Sequence, residues 1–339
     1  MLTNQFKINY SVGSIANGVK TDTFTFFLLF FYSNIIGLNP GLAGTAIFIA
    51  LCVDAFTDPL MGTISDRTNT SFGRRHPYMF ISFIPMSLGY IFLFAPRQDW
   101  DMSQSDLFVW MTIFTILTRI GMTLFDIPHR AFGGEITKNY NERTLLMSWR
   151  EMFAWVAGLS NAFLGYGVFF ASTPEFPQGQ LNPDAWFPFA LTGALIMIIS
   201  VLYSSLSTKN EINSLSKWSG SVSLGAILNE LKIALGNKSF LIFFFGNLFL
   251  SLAWGLANTL TLFVNTYFWE FEATQIKYFL PIYLFATLFA FYLTPIMVKL
   301  YDKRIIVLVC IGAVGLLSPA AFIMYNLGLT PEKGSMQLV

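Results

Sequence analysis

The stretch "CVDAFTDPLMG", residues 52–62, sets Asp54 and Asp58 four residues apart with Thr57 beside them. On a helix, residues i and i+4 share a face, so two carboxylates and a hydroxyl converge on one small volume. That set of hard oxygens suits a small cation, or one shared proton, since two acids this close cannot both ionise freely. The same acids could instead pair with arginines elsewhere in the chain, and the two uses are compatible. A second polar stripe follows at Arg119, Thr123, Asp126 and Arg130, spaced i, i+4, i+7 and i+11, with Pro128 placed to bend the helix that carries it. Arg150 and Glu151 open a further apolar stretch, where the arginine can reach inward or extend to the membrane surface. Asp22 follows Lys20 in "ANGVKTD", a loosened helix fitted for close packing or for ligand contact. Asn247, Ser251, Trp254 and Asn258 repeat the one-face spacing, with hydrogen bonding between helices as the plainer use. His129, beside Asp126, reads as a packing residue or a proton relay.

These residues must be positioned inside a membrane. Hydrophobic residues make up 54% of the 339, charged residues only 12%, and the mean hydropathy is +0.58; a soluble domain carries about 25% charge. Apolar runs of about 20 residues, each long enough to cross about 30 Å of hydrocarbon, predict helical spans near 10–36, 40–65, 77–96, 105–133, 148–172, 185–206, 239–267, 275–299 and 305–325. A β-barrel would show short alternating segments instead. Nothing at the start has the layout of a cleaved signal peptide, so the first span is expected to be retained. Cys52 and Cys310 lie far apart in apolar spans and read as two small buried residues, without disulfide or metal spacing. A carboxylate at mid-bilayer costs about 2.5–3.5 kcal/mol on insertion scales, so Asp54, Asp58 and Asp126 are expected to face a partner or a water-filled path.

The longest polar segment lies between the sixth and seventh spans and divides the chain. Residues 1–206 read as a six-helix bundle, 207–238 as a cytoplasmic linker, 239–325 as three helices of a second bundle, and 326–339 as an extracytoplasmic tail. In the linker, Leu224, Ile227, Leu228, Leu231 and Leu235 at helical spacing predict an amphipathic helix on the membrane surface. Lys and Arg crowd one set of alternate loops, which places the N-terminus in the cytoplasm. Trp100, Trp186 and Trp269 then fall at the outer interface as an aromatic belt, and Trp149 at the inner one. The basic hairpin "SDRTNTSFGRR" after the second span is echoed by "VKLYDKR" after the eighth, the pattern of a repeated six-span unit. On that count the second unit stops after three spans, and the chain reads as truncated.

Enzyme chemistry finds no support in the motifs. Intramembrane aspartic proteases need their acids on two helices, and the sequence holds no G-x-S-x-G elbow, H-E-x-x-H helix or P-loop. A channel would ask for a re-entrant loop or a ring of like residues. The expectations are therefore no enzyme activity, no cofactor, no structural metal and no nucleic-acid partner.

"DAFTDPLMGTISDRTNTSFGRRHPYM" and "FDIPHRAFGGEITKNYNERTLLMSWR" resemble the glycoside, pentoside and hexuronide cation symporters, the melibiose-carrier-like branch of the major facilitator superfamily. The resemblance implies an all-α membrane fold of two six-helix bundles around a central cavity, driven by sodium or proton flow across a plasma (inner) membrane. It implies that Asp54 and Asp58 bind the coupling cation, with Thr123 helping and Thr57 close by. It implies that Asp126 and Arg150 contact the sugar, and that Asp66, Arg67, Arg74, Arg75, Glu142 and Arg143 form cytoplasmic gating contacts. Where melibiose-type members carry a sugar-binding acid in the first span, this chain has Gly18, with Asp22 one turn later; where they carry an aromatic platform after the D-I-P proline, it has Arg130. With Arg119 and Arg150 nearby, Arg130 suggests a substrate bearing a carboxylate, as a uronide would. Trp254 and Asn258 complete the expected substrate contacts. A lysolipid or other amphiphile carrier on the same fold, and a non-transporting remnant or solute sensor, are the other readings.

Overall fold

The computed structural model describes residues 2–214, 232–233 and 235–335. Most of the amphipathic stretch expected in the linker lies outside them. Among the described residues the chain is helical, without strands. Helices α1 (Asn4–Val12) and α2 (Ser14–Asp22) lead into two π-helical stretches, Thr23–Leu28 and Phe31–Ile36. They are followed by α3 (Pro40–Arg67), α4 (His76–Ile81), α5 (Phe83–Leu93), α6 (Gln104–Glu135), α7 (Tyr140–Leu164) and α8 (Trp186–Ser207). After the linker come α9 (Lys238–Phe263), α10 (Ala273–Leu300), α11 (Lys303–Leu317) and α12 (Ala320–Asn326). Eight helical segments among the described residues are long and apolar enough to cross a membrane.

The ends of these helices are written in the sequence. Asn39 caps α3 through the amide of Gly41 at 2.8 Å, with Pro40 preset in the first turn. Ser103 and Asp106 form a reciprocal capping box at the start of α6, and Asp302 caps α11. Gly37 closes the first span in a left-handed conformation, φ 85°, that side chains resist. Pro85 has no N–H for the carbonyl of Ile81, and the helix parts there into α4 and α5; Pro319 divides α11 from α12 in the same way.

The first expected span departs from a regular helix. It turns at Gly13 and widens into the two π stretches, where the Ser33 hydroxyl bonds back to the Leu29 carbonyl. The core lies around its outer half, where Phe27, Phe30, Phe31, Phe94, Phe170 and Phe189 pack on Trp186 and one another. Trp186 is completely buried and donates its indole N–H to the Gln180 carbonyl at 3.1 Å, and Trp269 is nearly as buried. Neither belongs to an exposed aromatic belt, and for Trp186 the loop over the bundle supplies the polar partner that the interface would otherwise provide. Both cysteines are exposed on helix surfaces rather than buried.

Helix α3 packs on α6, α2 on α7 and α8, α5 on α6 and α8, and α10 on α7. The buried stripe of α3 is mainly small, Ala43, Ala46, Ala50, Met61 and Ser65, so it lies close against its neighbour. The tail folds back: the amide of Gly334 donates to the Trp269 carbonyl at 2.8 Å, and Lys333 stands over the rings of Phe268 and Tyr325.

Candidate functional site

Parallel packing of α3 and α6 brings the two polar stripes together. Arg119 pairs with Asp54, and Thr123 donates to Asp58 Oδ1 at 2.6 Å, each contact joining residues 65 positions apart. Thr57 stays on its own helix, its hydroxyl 3.5 Å from the Asp54 carbonyl. One turn beyond Thr123, Asp126 is shared by two arginines: Arg130 Nε donates to Oδ2 at 2.6 Å, and Arg150 of α7 grips Oδ1. Arg150 is 1% exposed and also bonds Glu151 at 2.5 Å, so it points into the bundle rather than to the membrane surface. Lys20 approaches from α2 over the ring of Phe24, which Arg119 also faces, and lies within electrostatic reach of Asp54, Asp58 and Asp126.

The cluster is close to neutral, with Asp54, Asp58, Asp126 and Glu151 set against Lys20, Arg119, Arg130 and Arg150. Neutrality is what makes so many charges tolerable at bilayer depth. Its members are not equivalent. Asp54 and Asp126 each face a guanidinium, while Asp58 faces a hydroxyl and makes no ion pair among the described residues. Asp58 is therefore the acid with unspent charge. The three arginines in which the sequence suggested a seat for a substrate carboxylate already hold carboxylates of the chain itself.

A second network lies at another level of the same helices, where α3 and α6 end and α4 begins. Arg75 bonds Asp66 at 2.8 Å and pairs with Glu135 at the end of α6, which Arg74 grips as well. Burial presses the Arg75 guanidinium below its ordinary pKa, while Glu135 and Asp66 pull it back up. Glu142 receives the amide of Leu2 at 3.0 Å and the hydroxyl of Thr137 at 2.9 Å, and Arg143 donates to the Thr137 carbonyl at 3.4 Å. Arg67 ends α3 and has interactions of its own. Sequence reading missed Glu135, the hub of this network, although its place one helix-end away from two adjacent arginines was the available signal.

Asp22 stands apart from the cluster. Gly18 lies where α2 crosses α7 so closely that a Cβ would collide with the Ala154 carbonyl, and the Asp22 carboxylate fills the hollow that Gly158 leaves. An acid at position 18 has no room in this packing. His129 is fully buried, stacked between Tyr10 and Phe125, with Nε2 3.0 Å from the Tyr10 carbonyl. It packs α1 to α6.

Between α7, the first span, α9, α10 and α12 lies a cavity of about 1230 Å³. Trp149, Trp155, Trp254, Tyr166, Phe279 and Tyr283 dominate its wall, with Asn258, Thr261 and Asn265 among them. Trp254 and Asn258 both line this space, and the Asn258 amide donates to the Trp254 carbonyl at 2.8 Å on its own helix. Among the described residues no acidic or basic side chain lines this cavity, and Asp22, Asp126, Arg130 and Arg150 lie outside its wall.

A family model described as MFS/sugar transport protein matches residues 9–339. The chain is similar to an uncharacterized symporter, sll1374, of Synechocystis, 32% identical over 206 residues, 59% of this chain and 36% of that one. It is similar to the isoprimeverose transporter of Lactiplantibacillus pentosus, 25% identical over 299 residues, 88% of this chain and 60% of that one. It also resembles the sodium-dependent lysophosphatidylcholine symporter 1-A of Danio rerio, 30% identical over 179 residues, 51% of this chain and 32% of that one. The chain spans between about a third and three fifths of the length of these relatives.

Proposed function

Because the chain belongs to the MFS/sugar transport protein family, among the glycoside-pentoside-hexuronide cation symporters of the major facilitator superfamily, we propose that it serves cation-coupled symport of a sugar or glycoside by alternating access. Asp58 with the Thr123 hydroxyl receives the coupling ion, sodium or a proton; Asp54 and Thr57 complete the oxygen set when Arg119 lets go. The observation that carries this reading is the contrast within one cluster, where Asp58 faces a neutral hydroxyl while its neighbours face guanidiniums. A cation entering there exchanges hydration for a carboxylate and hydroxyl oxygens, and it competes with Arg119 for Asp54.

Asp126, held by Arg130 and Arg150, offers the sugar hydroxyls a carboxylate whose remaining lone pairs accept hydrogen bonds. Trp254 and Asn258 contact the substrate from the cavity wall. The Arg74, Arg75, Asp66 and Glu135 network, with Arg67, Glu142 and Arg143, closes the cytoplasmic side. The protein then sits in a plasma membrane with its N-terminus inside, as the basic loops indicate. One cation crossing 100 mV supplies about 2.3 kcal/mol, enough for roughly fiftyfold accumulation before any chemical gradient adds to it.

A second reading has a specific observation in its favour. The uncharged aromatic wall of the cavity also suits the chain of an amphiphile. Uptake into proteoliposomes carrying the 339-residue chain separates the two, with labelled glycosides and a labelled lysolipid compared with and without a sodium or proton gradient. Glycoside uptake that follows the ion gradient and vanishes in Asp58→Asn supports symport; lysolipid uptake alone supports the second reading. Ion-driven uptake unchanged in Asp58→Asn removes the assignment of the ion site.

A further inference from the structure

Asp22 has no place in the ion cluster or the cavity, yet its surroundings are specific. Oδ2 is buried and accepts no hydrogen bond. The carboxylate sits in the Gly158 hollow of α7. One turn further along α7, Asn161, 3% exposed, donates its Nδ2 to Thr23 Oγ1 at 3.2 Å and leaves Oδ1 buried and unpartnered. Thr23 Oγ1 also receives the Tyr90 hydroxyl at 2.8 Å. Two unsatisfied acceptor oxygens, from neighbouring turns of one interface, thus share a region in which no donor among the described residues is directed at either of them.

No charge from the surrounding elements settles this. Helix α8 carries no charged residue, and its Tyr203 donates to Asn9 Oδ1 at 3.0 Å. On α7, Glu142, Arg143, Arg150 and Glu151 precede Gly158 by seven residues or more, at least ~10 Å along the axis. On α6, Arg119, Asp126 and Arg130 are engaged in their own pairs, and Lys20 lies over Phe24. Tyr90 of α5 is spent on Thr23, and the sole ionisable side chain of α9, Lys238, stands at its far end. A buried acceptor left without a donor costs about 1–3 kcal/mol, more when charged. A metal cation would need several converging oxygens and space of its own, whereas here the carboxylate already fills the glycine hollow.

We propose that Asp22 is a proton-binding site, separate from the carboxylates of α3, where the carboxylic acid donates to the buried acceptor side of α7. The proton supplies a donor where none is directed at these oxygens, and it needs no added volume. Asp22 is half-buried, so the proton can exchange with water while α2 and α7 stay packed, and the bound proton favours that packed arrangement. The site adds a pH-sensitive element to the proposed transport cycle, but proton binding itself does not depend on that cycle.

The test is infrared difference spectroscopy of the 339-residue chain in lipid, titrated between about pH 5 and pH 9. The expected result is a protonated-carboxyl carbonyl band that disappears in Asp22→Asn and persists in Asp58→Asn. In Asn161→Leu the band should remain and move to the higher frequency of a carboxyl that has lost its acceptor. A spectrum with no Asp22-dependent band would mean that Asp22 is ionised and met by a turned-over Asn161 amide, which overturns the proposal. A band that ignores Asn161→Leu overturns the pairing across α2 and α7. Failure of ion-driven uptake with the Asp22 band intact would sink the transport reading alone.

Discussion

Arg119 and Thr123 on α6 meet Asp54 and Asp58 on α3 rung for rung: both contacts join residues 65 positions apart, so the two helices run in parallel register at the depth of the carboxylates. Each rung has a different character, one ionic and one neutral. The neutral rung is where an added cation changes most. Thr123→Val removes an oxygen and a donor with little change of shape, a loss of about 1–1.5 kcal/mol. The sodium or proton concentration for half-maximal uptake should rise roughly tenfold, with little change in the maximal rate. An ion dependence identical to wild type would place the ion elsewhere.

The ionic rung should behave as a structural pair. Arg119→Gln strands Asp54, which is 20% exposed, and losing one partner of a fully dry pair costs about 3–5 kcal/mol. Partial access to solvent brings the expected loss nearer 2–3 kcal/mol. Thermal unfolding in detergent should show a clear drop for Arg119→Gln and recovery of most of it in Arg119→Gln/Asp54→Asn. Equal melting of both variants would show that the pair carries no coupling energy.

Arg150 holds Asp126 through one terminal nitrogen and Glu151 through the other, a fixed planar span that a compact ammonium on a flexible stem does not reproduce. Arg150→Lys should therefore lower glycoside affinity by about tenfold or more while preserving the ion dependence. Binding isotherms at saturating sodium check this, and an unchanged affinity would separate Asp126 from the sugar.

Gly158→Ala puts a methyl group where the Asp22 carboxylate lies. Overpacking of this kind costs about 1–3 kcal/mol. The same substitution in an Asp22→Ala background should cost far less, because the two groups compete for one space. A double-mutant cycle on melting temperature reads the coupling directly, and additive effects would place the strain somewhere other than this contact.

At the cytoplasmic end, Glu135→Gln weakens the link to both Arg74 and Arg75. A cysteine placed at Ser65 in a background without native thiols should react faster with a water-soluble maleimide in the Glu135→Gln variant. An equal rate would mean that Asp66 alone keeps the end closed.

Hydropathy made the regular spans legible, because each helix must satisfy its own backbone across the hydrocarbon and needs a predictable length to do so. Spacing made the ion stripe legible, since i and i+4 fix a face before any fold is known. The break-up of the first span escaped that reasoning: π turns depend on local back-bonding such as that of Ser33, which hydropathy does not register. Partner choice is legible only in kind: the acids of α3 can pair with arginines, but spacing alone does not say that Arg119 takes Asp54 while Asp58 meets Thr123. Asp22 was placed with the substrate contacts because its helix looked loose, whereas Gly18 and Gly158 use that looseness for close packing. Trp186 was read as an interfacial residue because its position along the chain says nothing of the loop that covers it.

Pro59 directly follows Asp58, and Pro128 stands two residues beyond Asp126. Each removes the amide that would tie its helix to the turn before, at the carbonyls of Ala55 and Leu124. From Pro59 to Asp66 the rest of α3 is a lever arm of ~10 Å. A bend of ~10° at that joint moves its tip by ~2 Å, more than an ion pair can stretch and remain intact. The two prolines are fulcrums, and on the proposed ion site at Asp58 a slight tilt about them would be enough to unlatch the arm's far end.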